Sequence, residues 1–129
     1  YHAASMIATK FSVITTLSRS VPGLENNLMR YGLAQKCMRV RATDIPVLKL
    51  EEGDLTTLLK IQSEIREAIT QDHAEAIVLG CAGMADLMAQ LSEEFGLPVI
   101  DGVAAGVTFA EALVNNRLST SKIGAYSSE

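Results

Sequence analysis

Short, uninterrupted apolar segments alternate along this sequence with segments of helical periodicity. The most apolar is residues 76–80 (AIVLG), and two others are residues 11–17 (FSVITTL) and 97–100 (LPVI). A strand that is apolar at every position, rather than at every second one, is typical of a parallel sheet that is covered on both faces. Such strands, separated by helices, predict an α/β fold.

Amphipathic helices are predicted between these strands. Apolar residues at helical spacing predict a long helix from Asp54 onward and two more over residues 85–95 and 103–118. Pro22, with Ser20 as a candidate N-cap, starts another helix. Together these elements predict a doubly wound, mostly parallel sheet flanked by helices on both faces, in one α/β domain spanning residues 1–129.

The remaining segments have weaker patterns. Residues 36–41 (KCMRVR) alternate and predict a strand near a sheet edge, residues 43–52 read as an irregular connection, and residues 122–126 as a final strand or a tail.

Composition excludes several classes of function. The net charge of −4 and the lack of a clustered basic face argue against a nucleic-acid partner. No apolar run is long enough for a membrane span, and the chain has no P-loop, GxGxxG or metal-ligand cluster. These absences agree with a reaction that needs no metal and no bound cofactor. Two cysteines are too few for a disulfide scaffold, which favours a reducing, cytoplasmic setting.

Ligands of such sheets bind beyond the carboxyl ends of the strands. Cys81 follows the most apolar strand directly, with a helix predicted just beyond it. The unpaired amides at the start of a helix favour the thiolate form of a nearby cysteine, which makes it a useful base. These amides could also hold a carbonyl oxygen as negative charge builds on it. From the residues alone, an inert core thiol remains the stronger alternative.

Five sequence segments resemble one known family. They are AIVLGCAGMADL, GLPVIDGVAAGV, FSVITTLSRSVP, VRATDIPVL and TSKIGAY, and they cover nearly the whole chain in order. They resemble the Asp/Glu/hydantoin racemase superfamily, and the Ala-Gly-Met continuation after the cysteine is most similar to its hydantoin and allantoin racemases. The central cysteine segment is the specific one, and the others support it.

This resemblance implies one lobe of a two-lobed, aspartate/glutamate racemase-like enzyme. Each lobe supplies one cysteine, so that one thiolate removes the proton α to a carbonyl while the opposed thiol returns a proton to the other face. Cys81 matches the second cysteine, whereas Cys37 does not match the first. The chain is thus expected to be a C-terminal half that lacks the N-terminal lobe and is inactive alone. Its expected partners are that lobe and a 5-substituted hydantoin or allantoin. Self-association through the surface left uncovered is also expected.

The resemblance implies substrate-binding groups at the strand end of Thr15 and Thr16. Gly80, Ala82 and Gly83, beside Cys81, are also expected to contact the substrate, because the two glycines let it approach the backbone closely. The two threonines could equally be β-branched strand residues, one of them a cap. Asp101 is expected to cap the following helix and His73 to be solvated. An amino-acid racemase, a maleate isomerase, an arylmalonate decarboxylase, or an inactive binding or assembly module of the same fold remain alternatives.

Overall fold

The computed structural model describes residues 1–51 and 55–127, which form one four-stranded sheet with helices around it. The strands are β1 (Phe11–Thr15), β2 (Cys37–Ala42), β3 (Ala76–Leu79) and β4 (Val99–Asp101). The α-helices are α1 (His2–Ile7), α2 (Val21–Arg30), α3 (Val47–Glu51), α4 (Leu55–Thr70), α5 (Met88–Phe95) and α6 (Gly102–Asn115). Short 3₁₀ helices cover Ser18–Ser20, Ala82–Leu87 and Gly124–Tyr126.

The sheet has the order β2-β1-β3-β4, and every neighbouring pair is parallel. The predicted α/β fold with its parallel sheet is therefore confirmed. β1 and β3 lie in the centre and are buried at every position, as the mostly apolar sequence of β1 and the wholly apolar sequence of β3 predict. β2 lies at one edge, which confirms the prediction from its alternating sequence.

The strand register brings the carboxyl ends of the strands to a common edge. Ile14 of β1 pairs with Leu79 of β3, and Leu79 pairs with Asp101 of β4. The segments that follow these three strands therefore start at nearly the same level of the sheet.

Two apolar clusters cover the two faces of the sheet. On one face, Ile77 and Leu79 of β3 pack with Ile61 and Ile65 of α4 and with Leu91 of α5. The opposite face is covered by α1 and α2. The apolar cluster on this face consists of Ala4, Phe11, Val13, Leu28, Val40, Ala76 and Val78. The alternation of neighbouring β3 residues between the clusters is the period of two expected of a strand.

Some boundaries differ from the predictions. The segment predicted as a helix over residues 85–95 begins as a 3₁₀ helix at Ala82 and becomes α-helical at Met88. It ends at Gly96, which adopts a left-handed conformation (φ 63°). The predicted irregular connection contains α3, and the candidate final strand is instead a 3₁₀ turn. Asp54, where the long helix was predicted to begin, lies outside the described residues.

A buried ion pair joins β2 to the connection after α4. Arg41 donates to both carboxylate oxygens of Asp72, from Nε at 2.7 Å and from Nη2 at 2.8 Å. Ser12 of β1 also donates to Asp72, at 3.0 Å. Only 9% and 8% of the Arg41 and Asp72 side chains are exposed. Arg41 holds the pKa of this carboxyl below its usual value.

Helix α6 differs from the other long helices because none of its residues is buried. It leaves the sheet directly after β4 and contacts mainly that strand and the 3₁₀ helix at Ala82–Leu87. Among the described residues, no helix is long and apolar enough to cross a membrane.

Candidate active site

Cys81 lies at the carboxyl edge of the sheet, two residues beyond the end of β3. Its backbone is extended (φ −143°, ψ 128°), and it is the N-cap of the 3₁₀ helix that begins at Ala82. Its carbonyl oxygen accepts a hydrogen bond from the Met84 amide at 3.0 Å. The first amides of a helix have no acceptor within the helix. The half-buried thiol therefore precedes a short row of amide donors.

Gly80 is held tightly against β1. Its amide donates to the carbonyl oxygen of Ile14 at 2.8 Å. A Cβ atom added at Gly80 would lie 3.0 Å from Val13 Cγ1, 3.2 Å from Thr15 Cβ and 3.3 Å from that same carbonyl oxygen. The absence of a side chain at Gly80 therefore serves the packing of this strand end.

Gly83 lies beside the thiol on the other side. A Cβ atom there would lie 3.8 Å from Cys81 Sγ, 3.5 Å from Val47 Cγ1 and 3.1 Å from Leu50 Cδ1. Helix α3 therefore packs close to the segment that carries the cysteine, a contact that the sequence did not indicate.

A cleft of about 440 Å³ opens next to Cys81. Its volume falls within the range of small-molecule sites. Strand ends, α2 and the start of the chain all contribute to its wall. The lining residues are Tyr1, Leu24, Asn27, Tyr31, Val78, Leu79, Gly80, Cys81, Ala82, Asp101, Gly102 and Val103. Asn27 and Tyr31 were missed from the sequence, because nothing in the linear pattern of α2 distinguishes the residues that face this cleft.

Asp101 caps α6, as predicted. Its Oδ2 accepts a hydrogen bond from the Ala104 amide at 2.7 Å, and only 4% of the residue is exposed. The other carboxylate oxygen, Oδ1, is buried and has no hydrogen-bond partner among the described residues.

Thr15 and Thr16 lie at the end of β1, and both are buried. Thr15 Oγ1 donates to the carbonyl oxygen of Gly80 at 3.3 Å, and the Thr16 carbonyl oxygen accepts from Thr43 Oγ1 at 3.3 Å. Neither threonine is among the described residues that line the cleft. They thus hold together the strand ends on which the cysteine sits.

A polar contact ties together the loops that follow β1 and β2. Asp44, in a left-handed conformation (φ 53°), accepts hydrogen bonds from the Ser18 amide at 2.9 Å and from Ser18 Oγ at 2.8 and 2.9 Å. These bonds lower the pKa of the exposed Asp44 carboxyl. Both residues lie in segments that carry the family resemblance, but the sequence did not indicate their contact.

Cys37 does not share the site with Cys81. It is the first residue of β2, at the amino end of the sheet. Burial raises the pKa of the Cys37 thiol to about 11. His73, also outside the cleft, is exposed. Within residues 1–51 and 55–127, no three His, Cys, Asp or Glu side chains are grouped so that they could hold a metal ion.

Comparison with known proteins identifies relatives of this chain. The sequence profile described as "Asp/Glu/Hydantoin racemase" matches residues 1–110. A hydantoin racemase of Rhizobium meliloti is 50% identical over 123 residues, which cover 95% of this chain and 51% of that protein. A hydantoin racemase of Pseudomonas sp. is 42% identical over 125 residues, covering 97% of this chain and 50% of that protein.

Two solved structures are similar as well. The allantoin racemase from Klebsiella pneumoniae superposes with a TM-score of 0.94 at 44% identity, over 99% of this chain and 52% of that one. The allantoin racemase from Pseudomonas fluorescens gives 0.91 at 45% identity, over 99% and 55%. The chain thus spans about half the length of the relatives that it matches. Because the family profile matches most of its residues, the chain belongs to the Asp/Glu/hydantoin racemase family.

Proposed function

We propose that this chain supplies one of the two cysteines of a cofactor-independent racemase acting on a 5-substituted hydantoin or on allantoin. The observation that carries the proposal is the position of Cys81, at the carboxyl edge of the sheet and on the wall of a cleft that can hold a small ring. The names of the relatives, hydantoin racemase and allantoin racemase, give the substrate class.

The proposed reaction is a proton transfer at the ring carbon next to a carbonyl. The Cys81 thiolate removes the proton, so that an S–H bond forms, the C–H bond breaks, and the electron pair moves onto the carbonyl oxygen. Amides at the start of the Ala82–Leu87 helix donate to that oxygen and stabilise its charge. A thiol on the opposite face then returns a proton to the carbon. In the reverse direction the two thiols exchange roles.

The second thiol belongs, in this proposal, to the part of the relatives that this chain does not span. Cys37 cannot supply it, because it lies at the opposite end of the sheet from Cys81. The complete enzyme therefore contains a second lobe, and the 129-residue chain alone is expected not to racemise hydantoins. Free thiols at both positions fit a reducing, cytoplasmic setting, which is part of the same proposal.

Gly80, Ala82 and Gly83 are proposed to contact the substrate through their backbone. Gly80 and Ala82 line the cleft, and Gly83 lies beside the thiol. Thr15 and Thr16 are not proposed to contact the substrate themselves. By bonding to or lying beside the strand end at Gly80, they hold Cys81 in place rather than touching the ring.

The test uses a chimera in which this chain replaces the matched part of the Klebsiella pneumoniae allantoin racemase. Decay of optical rotation is measured with single enantiomers of allantoin, a 5-substituted hydantoin and glutamate. We expect decay with one of the first two substrates, at least a 100-fold loss in Cys81→Ser, and no loss in the matched control Cys37→Ser. Full activity of Cys81→Ser would refute the role of this thiol. Decay with glutamate alone would indicate an amino-acid racemase. Cys81-dependent turnover by the isolated chain would refute the need for a second lobe.

A further inference from the structure

One carboxylate oxygen of Asp101 is buried without a partner in the wall of the cleft beside Cys81. Oδ2 caps α6 by accepting from the Ala104 amide, whereas Oδ1 has no hydrogen-bond partner among the described residues. Only 4% of Asp101 is exposed, and the residue belongs to the cleft wall. An ionised oxygen that loses water without gaining a donor destabilises the folded chain. Because a cap needs one acceptor only, capping does not account for Oδ1.

Asp72 shows how the chain treats a carboxylate that has a structural role. It is also buried, yet both of its oxygens accept hydrogen bonds, from Arg41 and from Ser12. At position 101 a serine would cap the helix as well as an aspartate does. The chain therefore carries at Asp101 a second, charged acceptor that its own described residues do not use. A buried polar group without a partner is a candidate for a functional role.

Asp101 lies on one side of the cysteine and the free amides extend to the other. Asp101 ends β4 and pairs with Leu79, two residues before Cys81, and neighbouring strands are about 4.8 Å apart. Gly83 is packed against α3, the helix that follows β2 at the opposite edge of the sheet. A ring placed over the thiol can therefore contact the amides at the start of the Ala82–Leu87 helix on one side and Asp101 on the other.

The two sides match the two ring neighbours of the reacting carbon of a hydantoin, which are a carbonyl and an N–H group. With the carbonyl oxygen on the helix amides, the N–H group points towards Asp101. An ionised carboxylate is an acceptor only, and its bond to an N–H group is stronger than one between neutral groups. We propose that Asp101 Oδ1 accepts a hydrogen bond from this N–H group, and that Asp101 thereby restricts the site to rings with a donor next to the reacting carbon. This assignment rests on the proposed function.

The cleft wall beside Asp101 has room for such a ring. Gly102 follows Asp101 in the wall, and an added Cβ there would meet no atom outside its own turn of helix within 4 Å. Val103, the next residue of the wall, is 53% exposed, so its side chain can turn aside as a ring approaches Oδ1. A buried acceptor strongly disfavours a ligand that brings no donor to it. Asp101 should therefore act on the choice of ligand.

Oxazolidine-2,4-dione tests the assignment, because it is a hydantoin ring in which an oxygen replaces the N–H group next to the reacting carbon. Binding of hydantoin and of this analogue to the 129-residue chain is measured at pH 5, where both rings are neutral, from NMR shifts of the Ala82, Gly102 and Val103 amides. We expect hydantoin to bind at least tenfold more tightly.

Asp101→Asn should remove this preference. The Ala104 amide still needs an oxygen, so the side-chain NH₂ group takes the place of Oδ1 and can donate to the ring oxygen of the analogue. The ratio of the two affinities should fall to threefold or less, or reverse. The matched control Asp44→Asn changes a carboxylate that does not line the cleft and should keep the tenfold preference.

Three results would overturn the assignment: equal binding of the two rings by the wild type, a preference that Asp101→Asn leaves unchanged, or no shift of the three amides with hydantoin. Asp101→Ser, which also keeps a cap, replaces Asp101→Asn if that variant does not fold. Racemisation of one enantiomer of 5-methylhydantoin is followed on the chimera. The expected binding pattern without turnover counts against the proposed function only, and turnover that Asp101→Asn leaves unchanged counts against the role of Asp101 only.

Discussion

Replacing Gly80 with alanine should destabilise the protein by about 2 kcal/mol, because the strand end before Cys81 has no room for a methyl group. The added Cβ would lie 3.0 Å from Val13 Cγ1, 3.2 Å from Thr15 Cβ and 3.3 Å from the Ile14 carbonyl oxygen. All three atoms belong to β1, which is buried throughout and pairs with β2 and β3. β1 cannot move without disturbing its hydrogen bonds to both β2 and β3, so Gly80 and its neighbour Cys81 must move instead.

Urea unfolding of the 129-residue chain, followed by circular dichroism, measures this effect. With a slope of about 2 kcal/mol per M, the midpoint should fall by about 1 M. The matched control is Gly23→Ala in the first turn of α2, where an added Cβ would meet no atom within 4 Å. This control should be neutral or more stable by up to about 1 kcal/mol. An unchanged midpoint in Gly80→Ala, or an equal loss in Gly23→Ala, would refute the argument from packing.

Three further predictions concern other parts of the chain. Asp72→Asn removes one of the two acidic partners of Arg41 and should cost about 2 kcal/mol in urea unfolding, because Glu64 still contacts Arg41 Nη1 at 3.3 Å. Because folding lowers the pKa of Asp72, its charge stabilises the folded chain fully at pH values above its unfolded-state pKa of about 4, and this stabilisation is lost as pH falls through its folded-state pKa. The variant should therefore lose less stability in acid than the wild type, and equal losses would contradict this. Asp101→Ala should weaken α6 by about 1 kcal/mol, detected as faster amide exchange, and Asp101→Ser should not. With its pKa near 11, Cys37 should react with iodoacetamide at pH 8 roughly a hundredfold more slowly in the folded chain than in urea, and equal rates would show that the thiol is not protected.

The sequence predicted the central part of the fold because strands that are buried on both faces can be recognised from their mostly apolar sequences. Strands β1 and β3 are buried at every position and mostly apolar, since helices cover the sheet on both sides. Gly96 ends α5 in the left-handed conformation that glycine adopts most easily. The 3₁₀ geometry of Ala82–Leu87 and the five-residue helix α3 were not predicted, because elements this short have no periodicity that can be recognised.

The candidate site was predictable only where it follows the strands. Cys81 and Asp101 could be placed at the carboxyl edge because each comes directly after an apolar strand. Asn27 and Tyr31 reach the cleft through the packing of α2 on the sheet, which no local pattern encodes. The exposure of α6 could not be predicted either. Its apolar residues predict burial, whereas the described part of the chain leaves them exposed.

No linker separates β4 from α6. Asp101 is the last residue of the strand and the N-cap of the helix, and Gly102 is already helical. The direction and the rotation of the helix are therefore fixed by a single peptide unit at the wall of the cleft. One inserted residue at this junction would turn every side chain of α6 by about 100° and shift the helix by about 1.5 Å along its axis. Length variation between homologous chains should therefore be poorly tolerated at this junction, where Asp101 is buried.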